Sequence, residues 1–362
     1  MKKQQKIFFS GGGTGGSVTP LLAVAEELVH DDNYELVFVG GQTGPERDLI
    51  AKFNQGQGMR FIAIKSGKWR RYFSWQNFID IFRIIAAFFE SYRLIRRERP
   101  AIIISAGSFV SVPLVWAGAC QRVPILIHQQ DIRPGLANQL MAPLAKVITV
   151  SFKKSLADYN ARAVWTGNPI SQLIDNLPDR DLVWENYQLA PERPLILVLG
   201  GGTGAVAVND LLVKLRSELS QIGQVIHLTG AGKQALDFES PHYYQFEFLP
   251  QAELLALMKQ ASLVISRGGL GTLTEIASLQ KVAILIPMPH SHQEDNVAVF
   301  RDNEAALVLD QVGLEPEKLL EEIELLLSDY PRQQEYQTNL AKLMKGGARE
   351  TLAEIIIKLV KS

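Results

Sequence analysis

Short apolar runs alternate with stretches of helical spacing along almost the whole chain. Ile7-Phe8-Phe9, Leu36-Val37-Phe38-Val39, Ile102-Ile103-Ile104, Pro124-Ile125-Leu126-Ile127 and residues 147–150 form one series. After a polar, proline-punctuated stretch over 176–194, the runs 195–199, 225–228, 262–266 and 282–286 form a second. Runs this brief and this continuously apolar read as strands covered on both faces, and the helical patterns between them make the βαβ units of parallel sheets. The spacing predicts helices over 20–29, with Pro20 tolerated in the opening turn, from Pro134-Gly135-Leu136-Ala137-Asn138 onward, through Asn209 and Leu212, and over 253–260. The expected organisation is α/β with two Rossmann-like domains: 1–166, a hinge and linker over 167–194 that begins around Thr166-Gly167-Asn168-Pro169-Ile170, and 195–347. An amphipathic tail, 348–362, is expected to cross back onto the first domain.

Glycines punctuate the strand ends, and one turn organises the rest. Ser262 to Ser266 runs into Arg267-Gly268-Gly269-Leu270-Gly271-Thr272-Leu273-Thr274-Glu275, where helical spacing resumes. A helix that starts there aims bare N–H groups and the positive end of its dipole above the sheet, which makes an anion site. Gly268, Gly269 and Gly271 keep side chains clear of a phosphate, and Thr272 and Thr274 offer hydroxyls. Glu275 cannot bind phosphate but can accept two hydrogen bonds from a sugar diol, so the turn points to a nucleotide; the competing reading is an ordinary strand-to-helix turn with a dipole-favoured acid. A similar turn, Gly11-Gly12-Gly13-Thr14-Gly15-Gly16, opens the chain. It contains G-x-G-x-x-G, yet the next strand ends in Gly40-Gly41 rather than in the acid a dinucleotide ribose needs, and no lysine follows Gly16 as a P-loop requires.

Composition narrows the class. The 362 residues are 47% hydrophobic and 21% charged with a net charge of −1, so overall charge demands neither nucleic acid nor another polyanion. A single cysteine, Cys120, excludes an internal disulfide and favours a reducing compartment. Ile7-Phe8-Phe9 is too brief for a signal-peptide core, and no segment reaches the length of apolar sequence a spanning helix needs. The stretch 65–99 differs from the rest. Lys68, Arg70 and Arg71 interleave with Trp69, Tyr72, Phe73 and Trp75, and then Phe78, Ile81, Phe82, Ile85, Phe88, Phe89 and Tyr92 recur at helical steps. Two readings stand: a helix packed on the sheet behind a solvated basic loop, or a surface that rests on an anionic bilayer.

In open parallel sheets, ligands bind at the C-terminal ends of the strands, so residues 12–17, Gly107-Ser108 and 128–138 are expected to line one crevice. Two Rossmann-like halves with glycine turns suit transfer of a sugar from a nucleotide diphosphate. The leaving diphosphate is stabilised by helix N-termini, while a base draws the proton from the acceptor hydroxyl. No Asp-x-Asp motif stands at a strand end, which argues against a metal-held donor.

Over nearly its whole length the chain resembles the MurG family, the family-28 glycosyltransferases of peptidoglycan synthesis. The resemblance rests on Gly12-Gly13-Thr14-Gly15-Gly16 with Pro20, the segment from His128 through Asn138, Gly167-Asn168-Pro169, residues 200–205 with Asn209, Arg267-x-Gly269 through Thr272 and Glu275, and His292-Gln293-x-x-Asn296. It implies a GT-B fold. It also implies inverting transfer of N-acetylglucosamine from UDP-GlcNAc to the undecaprenyl-pyrophosphoryl muramyl-pentapeptide, lipid I, at the cytoplasmic face of the cell membrane; together with the charge and the missing metal motif, the expectation is no cofactor, no metal and no nucleic-acid partner.

By position, Glu275 should hold the ribose, the N–H groups of Leu270, Gly271 and Thr272 the diphosphate, and Gln293 and Glu294 the GlcNAc hydroxyls. The backbone near Leu249 should meet the uracil, and Gly202 and Thr203 should cover the phosphates. Thr14, Gly15, Gly16, Asn138, Asn209, Arg267 and Asn296 complete the expected donor set. Gly13, Thr14, Gly15, Gly107 and Ser108 should meet the acceptor diphosphate. Lys68 to Phe73, Trp75, Phe78 and Phe82 should touch the membrane as a peripheral patch.

The departures fall on the acceptor side. Ser17 stands where the family has histidine, His128-Gln129-Gln130-Asp131 replaces His-Glu-Gln-Asn, and Ser171 replaces an arginine; on the donor side, Gly202-Thr203 replaces Ser-Gln. Serine is a poor proton acceptor near neutrality, so Asp131 is the first candidate base and His128 the second, with Ser17 beside them. Two other readings remain: a UDP-sugar transferase with a different lipid-linked acceptor, and a catalytically silent scaffold.

Overall fold

The computed structural model describes residues 4–53, 58–64, 75–200, 205–235 and 241–361. The chain forms two compact units, residues 1–171 together with 345–362, and residues 172–344. The segment 172–194, which reads as linker in the sequence, carries two short helical pieces, Gln172–Asn176 and Arg180–Asn186, and groups with the second unit.

In the first unit the strands are β1 Gln5–Ser10, β2 Tyr34–Gly41, β3 Met59–Ile64, β4 Ile102–Ser105, β5 Ile125–Gln129, β6 Val147–Val150 and β7 Ala163–Trp165, in the spatial order β3-β2-β1-β4-β5-β6-β7. In the second they are β8 Leu195–Leu199, β9 Gln224–Leu228, β10 Tyr243–Phe246, β11 Leu263–Ser266, β12 Ala283–Leu285 and β13 Leu307–Val308, in the order β10-β9-β8-β11-β12-β13. All pairings are parallel. Each order places the unit's first strand inside the sheet, and the chain reverses its winding there. Strand ends on either side of that point are where an α/β sheet opens a crevice.

The continuous apolar runs are explained by burial on both faces. Ile7 and Phe9 of β1 pack into one core with Leu36, Phe38, Ile102 and Ile104, whereas Phe8 between them packs into the other with Val37, Val39 and Ile103. Each such side chain contributes roughly 1.5–3 kcal/mol on burial. Leu21, Val24, Ala25 and Leu28 form the buried stripe of the helix Thr19–Leu28 and meet Leu352, Ala353, Ile356 and Leu359 of the C-terminal helix Ala348–Lys361. Arg349 adds an ion pair to Glu27 at 2.7 Å. The returning chain also accounts for Gly167, whose φ is +83° and where a Cβ would collide with the carbonyl of Lys345. No helix among the described residues is long and apolar enough to cross a membrane.

Candidate active site

The turn after β11 is open. Gly269, in extended conformation, precedes the helix Leu270–Ser278, and no side chain caps that helix. Among the described residues no protein acceptor takes the N–H groups of Leu270, Gly271 and Thr272. The three glycines divide their work. A Cβ on Gly268 would press on Val297 and on the carbonyl of Gln293, at 2.7 and 2.8 Å, so its absence lets the helix His292–Asp302 approach. A Cβ on Gly269 or Gly271 would meet nothing within 4 Å, so these two face open space. Thr274 corrects the sequence reading, because its hydroxyl donates to the carbonyl of Leu270 at 2.7 Å and is spent inside the helix. Thr272 is half-buried.

Glu275 is half-buried one turn into the helix. Burial pushes its carboxyl up to about 7, against a weaker opposing hydrogen bond from Gln251 Nε2 at 3.4 Å. Gln251 opens the helix Gln251–Gln260, just beyond Leu249, whose side chain is buried, and Phe248, which is 70% exposed. Sequence reading found Leu249 and missed Gln251, which carries no motif of its own.

Several other expected donor residues are held by protein hydrogen bonds. Arg267 is buried, and its Nη1 donates to the carbonyls of Ile286 and Pro287 at 3.1 and 3.2 Å, so the guanidinium ties the end of β11 to the end of β12. Asn296 Nδ2 donates to the carbonyl of Gly268 at 3.4 Å. Gln293 Oε1 accepts from the Met288 N–H at 3.0 Å, and the cap of its helix is Ser291, which accepts from Gln293 N. Glu294 is exposed. Asn209 is buried with both amide atoms in use. Its Nδ2 donates to Thr229 O at 3.0 Å and its Oδ1 accepts from His227 Nε2 at 3.0 Å. Gly202 and Thr203 lie outside the described residues, as do Lys68, Trp69, Arg70, Arg71, Tyr72 and Phe73; Trp75, Phe78 and Phe82 fall on the first turns of the helix Trp75–Glu98.

The first unit's turn is filled from beneath. Glu46 is completely buried, and its two carboxylate oxygens accept from Gly41 N at 2.9 Å and Gly13 N at 3.3 Å. Gly12, with φ +153°, has no Cβ because that atom would lie 2.6 Å from the carboxylate. Ser17 Oγ donates to the carbonyl of Gly12 and accepts from its N–H, each at 3.0 Å, which closes the loop on itself. Thr14, Gly15 and Gly16 follow, partly or fully exposed. Glu46 was invisible to motif reading, since it lies thirty-odd residues from the loop it supports.

His128, on β5, is fully buried, which argues against its service as the second candidate base. Its Nδ1 lies 2.9 Å from Thr149 Oγ1 and its Nε2 lies 3.1 Å from Asn168 Oδ1, and burial lowers its pKa to about 4. Two motifs read separately, His128 and Gly167-Asn168-Pro169, are thus one contact. Asp131 lies half-buried in the loop after β5. The neighbouring loop holds Gly107 at φ +94° and Ser108 at φ +106°. Asn138, expected on the donor side, is in the first unit, where its Nδ2 donates to Gln129 Oε1 and its Oδ1 sits beside Gly107. Ser171 donates to Glu26 at 2.9 Å.

The N-terminal domain of glycosyltransferase family 28 matches residues 7–150, and the C-terminal domain of that family matches residues 195–352. A protein of Clostridium botulinum (strain Langeland / NCTC 10281 / Type F) is 33% identical over 364 residues, covering 99% of this chain and 100% of its own. A protein of Lachnospira eligens is 35% identical over 344 residues, covering 93% and 94%. Both are named UDP-N-acetylglucosamine–N-acetylmuramyl-(pentapeptide) pyrophosphoryl-undecaprenol N-acetylglucosamine transferase. The crystal structure of Acinetobacter baumannii MurG covers 98% of this chain and 99% of its own with a TM-score of 0.74 at 23% identity, which establishes a shared fold of the GT-B class. The chain belongs to glycosyltransferase family 28 and, within it, to the MurG-type hexosyltransferases of peptidoglycan synthesis.

Proposed function

We propose that the chain transfers N-acetylglucosamine from UDP-GlcNAc, with inversion, to a hydroxyl of the lipid-linked muramyl-pentapeptide, forming lipid II. The observation that carries the donor half is the turn 268–272 with three uncommitted N–H groups, followed by a half-buried carboxylate. The N–H groups of Leu270, Gly271 and Thr272 take the diphosphate, and Glu275 accepts from the ribose hydroxyls. Gln293, whose amide oxygen is already used, meets the sugar through its Nε2 donors. The acceptor oxygen attacks the anomeric carbon on the face opposite UDP. Asp131 takes the hydroxyl proton, the carbon–oxygen bond to the diphosphate breaks, and the charge that develops on UDP falls at the positive end of the helix. His128, spent on Asn168 and Thr149, positions that segment instead of drawing the proton.

The acceptor is a lipid, and the helix Trp75–Glu98 supplies the surface for it. Ile85 and Phe89, four residues apart on one face, are 48% and 57% exposed and continue the apolar stretch that begins at Trp75. Peripheral contact with anionic vesicles should weaken when both become serine. Transfer of radiolabelled GlcNAc to a soluble lipid I analogue tests the whole reading. Product at neutral pH supports it; donor hydrolysis without transfer would instead favour a different lipid-linked acceptor, and absence of both would leave only a scaffold.

A further inference from the structure

The loop that carries Asp131 is held from beneath in an unusual way. Three successive backbone carbonyls, those of Asp131, Ile132 and Arg133, all accept from buried side chains. Gln129 Nε2 donates to Asp131 O at 2.7 Å and to Arg133 O at 3.0 Å, and Ser155 Oγ donates to Ile132 O at 3.0 Å. Gln129 and Ser155 are each only 1% exposed. Gln130 Nε2 adds a tie from the same loop to the carbonyl of Ala106 at 3.0 Å.

The Gln129 amide can sit only one way round. Its two N–H bonds point at carbonyls, which only accept, while its oxygen receives the Tyr159 hydroxyl at 3.0 Å and the amide of Asn138. Turning the group over would set its oxygen against the carbonyls of Asp131 and Arg133, two groups that only accept. Burial raises the Tyr159 pKa, which keeps that hydroxyl protonated and donating. All four hydrogen-bonding positions of one amide are therefore filled, and in this chain an ionised carboxylate at 129, with nothing to donate, could not make the two bonds to Asp131 O and Arg133 O, although the family carries Glu there beside Asn in place of Asp131.

We propose that Gln129 is a positioning residue for the transfer: its amide fixes the loop backbone so that the Asp131 carboxylate stands where the acceptor hydroxyl presents its proton. The inference rests on the reading of Asp131 as base. A misplacement of about 1 Å at a reacting group is enough to cost on the order of 100-fold in rate, so a locked loop is a kinetic device as well as a structural one.

The test is steady-state transfer by the full-length Gln129→Glu and Gln129→Ala variants between about pH 6 and 9, with melting temperature recorded for each. Gln129→Glu should lower kcat at least tenfold and leave the KM for UDP-GlcNAc unchanged. Its activity relative to the parent should recover as pH falls, because the introduced carboxyl regains one donor once protonated; Gln129→Ala should lose kcat without that recovery. If Gln129→Glu does not fold, Tyr159→Phe combined with Ser155→Ala is measured for the same split of kcat from KM. A Gln129→Glu enzyme with the parent's kcat at every pH, while Asp131→Asn is inactive, would overturn the inference and spare the base. An active Asp131→Asn would remove the base reading itself.

Discussion

The two glycine turns look alike in the sequence and differ in what fills them. After β1 the backbone folds over a buried carboxylate, so that Glu46 occupies the Gly13 N–H and Ser17 ties the loop to Gly12. After β11 the helix Leu270–Ser278 begins with no side-chain cap and with open space above Gly269 and Gly271. In the first turn Gly12 makes room for the protein's own carboxylate, whereas in the second Gly268 makes room for a neighbouring helix and Gly269 and Gly271 leave the open space where a ligand is proposed to approach. A G-x-G-x-x-G spacing alone does not distinguish these roles, whereas the atom that a Cβ would strike at each glycine does.

Each unit contains a fully buried histidine on a strand, His128 on β5 and His227 on β9, with a hydroxyl at Nδ1 and an asparagine Oδ1 at Nε2. Burial lowers both to about 4. These hydrogen-bonded chains rigidify the floor beneath the strand ends, and the two carboxylates proposed to meet substrate, Asp131 and Glu275, are both half-buried.

If the filled turn belongs to the catalytic side and the open one to donor binding, substitutions should separate accordingly. Asp131→Asn should reduce kcat about 10²- to 10⁴-fold and hardly change the KM for UDP-GlcNAc; a change mainly in donor KM would blur the division. Glu46→Ala strands two backbone N–H groups and should destabilise the protein by about 2–4 kcal/mol in denaturant unfolding, whereas Glu46→Gln, which keeps one acceptor, should cost less.

The third effect is a pH dependence on the donor side. The Glu275 carboxyl is raised to about 7 in the fold against an ordinary 4.5, so the folded chain holds its proton more tightly than the unfolded one. The stability this provides is present below about pH 4.5 and is lost as pH rises toward 7; Glu275→Gln should lack that slope when compared with the parent. Binding to ribose as a carboxylate runs the other way, so affinity for UDP-GlcNAc should rise about tenfold between pH 6 and 8 by isothermal titration calorimetry, as the ionised fraction rises. The two histidines slope oppositely to Glu275. Depressed to about 4, they stabilise the fold above about pH 6.5, and that contribution is lost as pH falls toward 4. The smallest effect expected on the fold is that of Gly271→Ala. Its new methyl meets no protein atom within 4 Å, so melting should stay level or rise slightly while donor affinity drops.

Most of the framework was legible because strands buried on both faces announce themselves as apolar runs, and β1, β4, β5, β8 and β11 all do. The helix Ser111–Cys120 and strand β3 gave no clear signal, the former because it is apolar on nearly every side and the latter because its polar Arg60 and half-buried centre dilute the run. Within the site, contiguous motifs such as 267–275 could be read, since the backbone itself does the work. Glu46, Gln251 and the Gln129 hub could not, because their meaning lies in contacts across the fold. Arg267, Asn209 and His128 were expected to face substrate, and in the fold their side chains hydrogen-bond to protein atoms.

The central claim is that the open turn after β11 grips the donor through its backbone while Glu275 grasps the pentose. Calorimetric titration of UDP-GlcNAc into Glu275→Ala at about pH 8 addresses it directly. Loss of hydrogen bonds to a charged group should weaken binding by about 1.5–3 kcal/mol, at least tenfold, in a protein whose melting temperature is preserved. A variant that bound the nucleotide sugar as tightly as the parent would contradict the account.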